Sequence, residues 1–350
     1  MTKGQSKFYH TGNNTMKKPV YNLIFKAGIL LAAVLMLYGP AMAQTPKVAQ
    51  SGMTWLNMPL GARAAGMGYA NVAVVNDASS FFWNPAGYAF SGKTTFFVNR
   101  TNWIADINVN SVAASFNAGR WGVYGFNLTG VDWGTFHGTR RADNDVGYVE
   151  TGTFSPASMS AGFSYAYRIS NEFAVGTNIK YLYERLGSTL VGSFDDPESF
   201  TAKMQLLAID FGTIYYIGYH DLRFGMSLRN FSNEEAYRVE TFPLPMTFRF
   251  GAAMDLFKPF VDETYHELTM AIDFIHSRDY SERLNVGAEY AFRDLFFLRG
   301  GYKVNYDLES FSAGAGVKVE AAGFKARVDY AYIQMDLFDG VNMFTLDFGF

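Results

Sequence analysis

The 350-residue sequence contains no cysteine. Disulfides, thiol catalysis and cysteine-based zinc sites are therefore excluded, and something else must hold the fold together. Charge is also scarce. Asp, Glu, Lys and Arg make up 17% of the chain, against about 25% in an ordinary soluble domain. The formal net charge is −3, with no basic surplus to meet nucleic-acid phosphates. Long apolar runs are missing as well. The run Ala27–Tyr38 is about a dozen residues, short of the ~20 that a membrane helix needs. A chain of this kind can sit in a membrane only as a closed barrel, in which every backbone group is paired between strands.

Catalytic constellations are lacking too. His137 and His220 fall on segments apart from His266 and His276, which are ten residues from each other, and no H-E-x-x-H spacing occurs. His276-Ser277-Arg278-Asp279 has triad residue types, but triad partners meet through the fold and not as neighbours. The pair Asp195-Asp196 is too little for calcium. Gly314 and Gly316 lie inside a strand pattern, where glycine marks the close approach of another backbone and not a phosphate loop. The reading is a protein without metal or cofactor, and not an enzyme.

What the sequence does have is aromatics and glycine: 33 Phe, 22 Tyr and 34 Gly. These residue types are poor helix formers and suit strands joined by turns. The amino terminus reads as an address. Lys17, Lys18 and Lys26 precede the apolar run, and Ala41-Met42-Ala43 follows as a cleavage site. Residues 1–43 are thus expected to be a signal peptide cut after Ala43. Its five lysines are the only charges it carries, so the net charge falls from −3 to −8 on removal.

From Lys93 onward the pattern has period two. Phe344, Leu346, Phe348 and Phe350 share one face, and Met343, Thr345, Asp347 and Gly349 share the other. Leu268, Met270, Ile272 and Phe274 alternate in the same way with Glu267, Thr269, Ala271 and Asp273. The segments run roughly 9–12 residues, the length at which a tilted strand crosses a bilayer. Their apolar faces are aromatic and their polar faces carry both signs of charge, as in a wet lumen. Counting them gives about fourteen, the even number expected of a bacterial barrel. The fold expected is therefore all-β, a transmembrane antiparallel barrel over residues 93–350. Short turns (117–120, 169–171, 218–221, 292–294, 320–322) alternate with longer loops (131–155, 186–200, 231–244, 277–281, 305–309). This assigns the short turns to the periplasm and the loops to the cell surface. The connection 257–264 breaks the rule, since it should be short and is not.

Residues 44–92 do not alternate. Small residues dominate, Asp77 is placed to cap a short helix running to Trp83, and Pro85 follows Asn84 at a first helical position. Such a segment can pack in a confined space, and it is expected to be a plug inside the barrel, with Arg63 and Asp77 paired to lumen charges such as Asp273 and Arg249.

Gly61, Arg63, Met67 and Gly68, then Asp77, then Trp83-Asn84-Pro85-Ala86-Gly87, resemble the amino-terminal signature of the PorV/PorQ family of outer-membrane proteins. That family is related to FadL-type transporters, which carry an Asn-Pro-Ala turn in their own plug. The resemblance covers about fifty residues of motif, and both groups have fourteen strands. It implies a role in type IX secretion. PorV-like barrels accept cargo at the translocon, bind its carboxy-terminal signal domain and carry it to the surface attachment machinery. PorQ-like barrels are accessory to the same surface complex. The partners implied are outer-membrane lipid, the translocon, attachment-complex proteins and cargo C-terminal domains. The final strand, with Phe348 and terminal Phe350, resembles the signal that the barrel-assembly machinery reads. In the loop 131–155, Trp133, Phe136, Arg140, Arg141 and Tyr148 combine aromatics with arginine, as recognition surfaces do, or form an aromatic girdle. Alternatives are a FadL-like carrier of hydrophobic compounds and a passive pore. The many lumen charges count against the first of these.

Overall fold

A computed structural model describes residues 50–90, 94–192, 197–219, 221–257, 265–321 and 323–350. The expected signal peptide, the first residues of the expected plug, His220 and Asp195-Asp196 lie outside the described residues.

Fourteen strands form a closed barrel. In chain order they are β1 (Thr95–Asn102), β2 (Asn108–Asn117), β3 (Val123–Asp132), β4 (Ala157–Arg168), β5 (Phe173–Gly192), β6 (Pro197–Tyr216) and β7 (Arg223–Phe231), then β8 (Thr247–Asp255), β9 (His266–Ser277), β10 (Arg283–Phe292), β11 (Phe296–Val304), β12 (Glu309–Ala321), β13 (Phe324–Met335) and β14 (Val341–Gly349). Each pairs antiparallel with the next, and β14 returns to β1, with Thr95 opposite Gly349 and Asn102 opposite Asn342. Every expected strand has its counterpart, with most ends within a few residues.

The burial pattern is inverted relative to a soluble protein. Phe126, Leu298, Val328 and Phe344 are at least half exposed, whereas Asp273, Asn285 and Asp329 are fully buried. Only a hydrocarbon surround rewards that arrangement. Along β14 the outward residues are Phe344, Leu346 and Phe348, and Thr345 and Asp347 point inward. Aromatic rings tie neighbouring strands on the lipid side. Phe96 of β1 stacks on Phe348 of β14 with centroids 5.0 Å apart, and Tyr330 meets Phe344 at 5.1 Å. Such cross-strand pairs stabilise a sheet by several tenths of a kcal/mol or more each. Phe350 donates its N–H to the Thr94 carbonyl at 3.1 Å and lies 6.1 Å from Phe96, beside the seam.

At one end of the barrel the connections are short, except that between Asp255 and His266, most of which lies outside the described residues. At the other they are longer, and they contain structure that alternation did not reveal. Within 131–155, Phe136–Arg141 and Tyr148–Phe154 form a hairpin, closed where Ala142 donates to the Gly147 carbonyl at 3.1 Å. Within 186–200, expected as a loop, residues 186–192 and 197–200 continue β5 and β6 as a paired ribbon. Its register shifts between Arg185 and Gly187, where Gly187 stands at φ 146°. A bulge of this kind takes a strand out of the plane of its sheet.

The segment before β1 lies in the lumen. It starts at the long-loop end, where Gly52 donates to the Pro243 carbonyl at 3.0 Å and Ser51 bonds Asp279. It then makes a 3-10 turn (Thr54–Asn57), a short helix α1 (Ala62–Gly66) and two more 3-10 turns (Ala78–Phe82, Pro85–Phe90). It leaves at the short-turn end, where Phe90 packs edge-on against Tyr216 at 4.8 Å. Among the described residues, no helix is long and apolar enough to cross a membrane.

Candidate functional site

The lumen segment is buried almost throughout; Met67, Val72, Phe81, Asn84 and Tyr88 are at most 1% exposed. Irregular backbone at this depth needs partners for its N–H and C=O groups, and the wall supplies them. The first amides of α1 have no partners within the helix. Gly61 donates to Asn99 Oδ1 at 3.2 Å just before it, and Ala62 donates to Thr345 Oγ1 at 2.8 Å. The helix ends as Gly68 and Tyr69 turn left-handed (φ 62° and 65°), with the Tyr69 N–H closing on the Ala64 carbonyl at 2.8 Å. The amides of Asn71 and Val72 donate to Asp273 Oδ2 at 2.9 and 3.0 Å. Arg223 Nε donates to the Ala73 carbonyl at 2.7 Å.

Close approach demands small residues on both sides. A Cβ at Gly68 would lie 2.9 Å from the Tyr302 amide nitrogen, and one at Gly301 would collide with the Gly68 backbone. Gly66 and Gly314 face each other in the same way, and Ser312 Oγ accepts from the Gly68 amide at 3.0 Å. Gly314 thus meets the plug backbone as expected, whereas Gly316 makes room for the side chains of Asp329 and Arg299.

Each residue of the amino-terminal signature has a definite place. Asp77 caps the 3-10 turn that follows it, accepting from the Ser79 amide at 2.9 Å. Trp83 Nε1 donates to the Leu60 carbonyl at 2.8 Å. Asn84 Nδ2 donates to the Val72 carbonyl at 2.8 Å and to the Thr213 carbonyl of β6 at 3.0 Å, while its Oδ1 accepts from Ala86 at 3.1 Å. One amide side chain therefore joins three pieces of backbone. Gly87 packs against the Val75 backbone with no room for a Cβ.

Arg63 and Asp77 pair with the wall, but through partners other than those expected. Arg63 forms a bidentate pair with Glu289 (2.6 and 3.0 Å), and Asp77 meets Arg327 at 2.7 Å. Asp273 is occupied by plug amides, and Arg249 lies over Trp83 at 5.0 Å. The pairs join into one network. Arg299 binds Glu289 at 2.6 Å and Asp329 at 2.7 Å, and Arg327 reaches Asp329 at 2.8 Å and Asp347 at 2.9 Å. Three guanidiniums thus hold four carboxylates in a buried cluster. Burial alone would raise the Asp77 carboxyl, but Arg327 and Arg63 outweigh it and hold it below the usual carboxylate range. A second knot sits where β5, β6 and β7 meet. There Lys180 pairs with Asp210 at 2.8 Å, and Asn178 and Asn230 bond to the same carboxylate.

Two cavities flank the plug. The one at the short-turn end, about 370 Å³, is lined by charge, including Arg223, Asp255, Glu267 and Arg327. The one at the long-loop end, about 310 Å³, mixes arginine with aromatic rings. Neither forms a greasy conduit.

Of the loop residues singled out in the sequence, Phe136, Arg140, Arg141 and Tyr148 are exposed on the hairpin, and Phe136 stacks on Phe154 at 5.7 Å. Trp133 stands apart from them. It is half-buried and donates to Ser158 Oγ at 2.9 Å, so it anchors the base of the hairpin. The structure brings together Glu289, Arg299, Asp329 and Arg327. Their charges were legible in the strand code, but their partnership was not, because it depends on register across four strands. Among the described residues, no three His, Cys, Asp or Glu side chains group as a metal site.

Comparison with known proteins agrees with this architecture. The structure resembles that of a Pseudomonas aeruginosa FadL homologue, with 10% identity, TM-score 0.53, 83% of this chain and 98% of that one covered. It also resembles the Pseudomonas putida toluene transporter TodX, with 10% identity, TM-score 0.51, and 83% and 96% covered. At such identities the likeness shows the fold alone, that of an outer-membrane barrel. No curated protein matches the chain. Residues 30–192 match the profile of an uncharacterised protein family, UPF0164. Residues 147–337, more than half of the sequence, match that of the type IX secretion system membrane protein PorP/SprF. They cover the strands that carry Glu289, Arg299 and Arg327, and on this ground the chain belongs to the PorP/SprF family of type IX secretion membrane proteins.

Proposed function

We propose that the protein is a non-enzymatic accessory barrel of type IX secretion, of the PorV/PorQ kind that its amino-terminal signature resembles. It would bind secretion cargo or surface-complex partners through the long connections. The observation that carries this reading is the occupied lumen. A segment pinned by a buried ion network and by backbone contacts too close for a side chain fills the barrel between the two cavities. The accessible chemistry then lies on the long-loop end, where Arg140, Arg141 and Tyr148 project on the hairpin. Aromatics and arginines are the usual anchors of recognition. Cleavage of a leader after Ala43 and recognition of the final strand by the barrel-assembly machinery belong to the same reading. The test is capture from the outer membrane with cargo C-terminal sorting domains as bait. Recovery of cargo or translocon is expected, and failure to recover either would count against the role.

A FadL-like carrier of hydrophobic compounds is the second reading, favoured by the fold shared with the toluene transporter TodX. The charged linings of both cavities speak against it. Uptake of long-chain hydrophobic substrates by cells with and without the protein separates the two.

A further inference from the structure

The lumen arginines differ in what holds them; Arg223 and Arg229 reach plug carbonyls. Arg63, Arg299 and Arg327 are each held by carboxylates at 2.6–2.8 Å. Arg249 and Arg283 form no ion pair among the described residues. Arg283 is instead sandwiched between two phenol rings, 3.8 Å from the Tyr280 centroid and 4.2 Å from that of Tyr306. Arg249 lies 5.0 Å over Trp83 and reaches only the Tyr69 carbonyl, at 3.5 Å. The Nε of each is buried and has no acceptor. Stacking fixes the plane of a guanidinium and leaves its N–H edge free to bind. Both side chains line the same cavity of about 310 Å³ at the long-loop end.

Asp273 faces Arg249 and Asp279 faces Arg283 electrostatically, but neither comes within ion-pairing distance, so each guanidinium keeps a buried N–H donor that an anion would satisfy. The remaining charges of the cavity limit how much anion. Glu309 is taken by Lys303, and Asp307 stands exposed at the mouth. With Asp273 and Asp279 also near the two arginines, the site suits one negative charge at most and works against a dianion such as phosphate. The rest of the wall sets the apolar and aromatic Met58, Trp103, Ile275 and Leu308 beside the polar Thr54, Asn57, Thr247 and Ser277.

We propose that this cavity is a binding site for one carboxylate borne on an aromatic or apolar body. The carboxylate would sit on the N–H edges of Arg249 and Arg283, and the body against Trp103, Met58 and Leu308. The volume is at the small end of ligand pockets, which fits a group the size of a phenylalanine side chain with its carboxylate. Such a group could come from a free small acid or from the carboxy-terminal end of a peptide. The inference stands on the cavity and does not rest on the secretion reading.

Calorimetry on the detergent-purified full chain tests it, with 3-phenylpropionate and its amide, and N-acetyl-Gly-Phe with a free or amidated end. Saturable binding of the acids is expected, with the amides weaker by about tenfold or more, the cost of a lost charge-assisted bond. Arg249→Gln and Arg283→Gln should each weaken the acids about tenfold and leave the amides unchanged, and Arg283→Lys should recover part of the loss. Arg120→Gln, at the opposite end beside Trp121, should change nothing. Tighter binding of the peptide acid assigns the site to a chain end, and tighter binding of phenylpropionate to a small acid. The inference is overturned if acid and amide bind alike, if no probe binds saturably, or if both glutamine variants keep folded mobility and full affinity. Because the acid–amide comparison uses the unaltered protein, it holds even if a variant does not fold.

Discussion

The two ends of the lumen solve the same problem in opposite ways. Toward the short turns, the plug and the wall meet through paired charges and facing glycines, so close that a single methyl has no room. Each end holds a cavity, but toward the long loops the arginines that line it lie against aromatic rings, and two hairpin arms extend beyond the barrel. The first arrangement fixes one geometry, because every charge removed strands another. The second leaves donors uncommitted and surfaces exposed. The contrast separates a region whose charges are committed to one another from one whose donors are left over.

Breaking the committed region should give the largest effects. Arg327→Ala removes the guanidinium shared by Asp77, Asp329 and Asp347. Stranding buried carboxylates costs about 3–5 kcal/mol. The melting temperature in detergent should fall sharply, and a nearly silent channel should conduct in planar bilayers. An unchanged melt would mean that the network does not pin the plug. Gly301→Val comes next, since its side chain must displace the Gly68 backbone. Overpacking of this kind costs about 1–3 kcal/mol, and conductance should again appear, with the ion network itself intact.

A smaller effect is expected from acid. The folded-state value of Asp77 is depressed, so its contribution is present above the ordinary carboxylate value and is lost as pH falls through the depressed one. Thermal stability of the native barrel should therefore drop on acidification below about pH 4. Asp77→Asn keeps a capping side chain but removes the charge paired with Arg327, which should cost about 1.5–3 kcal/mol at neutral pH and flatten that acid limb. A variant with the same acid profile as the parent would remove Asp77 from the account. The smallest structural effect is expected at the other end. Arg140→Ala with Arg141→Ala, on the exposed hairpin, should move stability by less than about 0.5 kcal/mol and yet reduce partner capture. Loss of stability without loss of capture would reverse the contrast.

How far the sequence announced this depended on what surrounds each part. The fourteen strands were legible because lipid and lumen impose opposite demands on alternate residues, as at Phe344 and Thr345. Phe136–Arg141 and the ribbon beyond Arg185 have water on both faces, so no alternation marked them as strands. The plug's turns were legible at Asp77 and Pro85, where capping is local. Its wall partners were not, since Glu289 and Arg327 lie more than two hundred residues away and are aligned only by barrel register. The stacking of Arg283 between Tyr280 and Tyr306 was hidden for a related reason. It brings together the two ends of a hairpin, β10 and β11, and residues just outside it.

The route of the first forty described residues has a consequence for assembly. The polypeptide enters beside Pro243 and Asp279 and emerges beside Tyr216, so it runs the full height of the cylinder before the first strand begins. Once Thr95 has zipped to Gly349, that stretch could reach its seat only by threading through a sealed tube. Wrapping must therefore precede sealing. The sheet curls around its own leading segment, which serves as the mandrel, and the last strand fastens the cylinder only after the contents are in place.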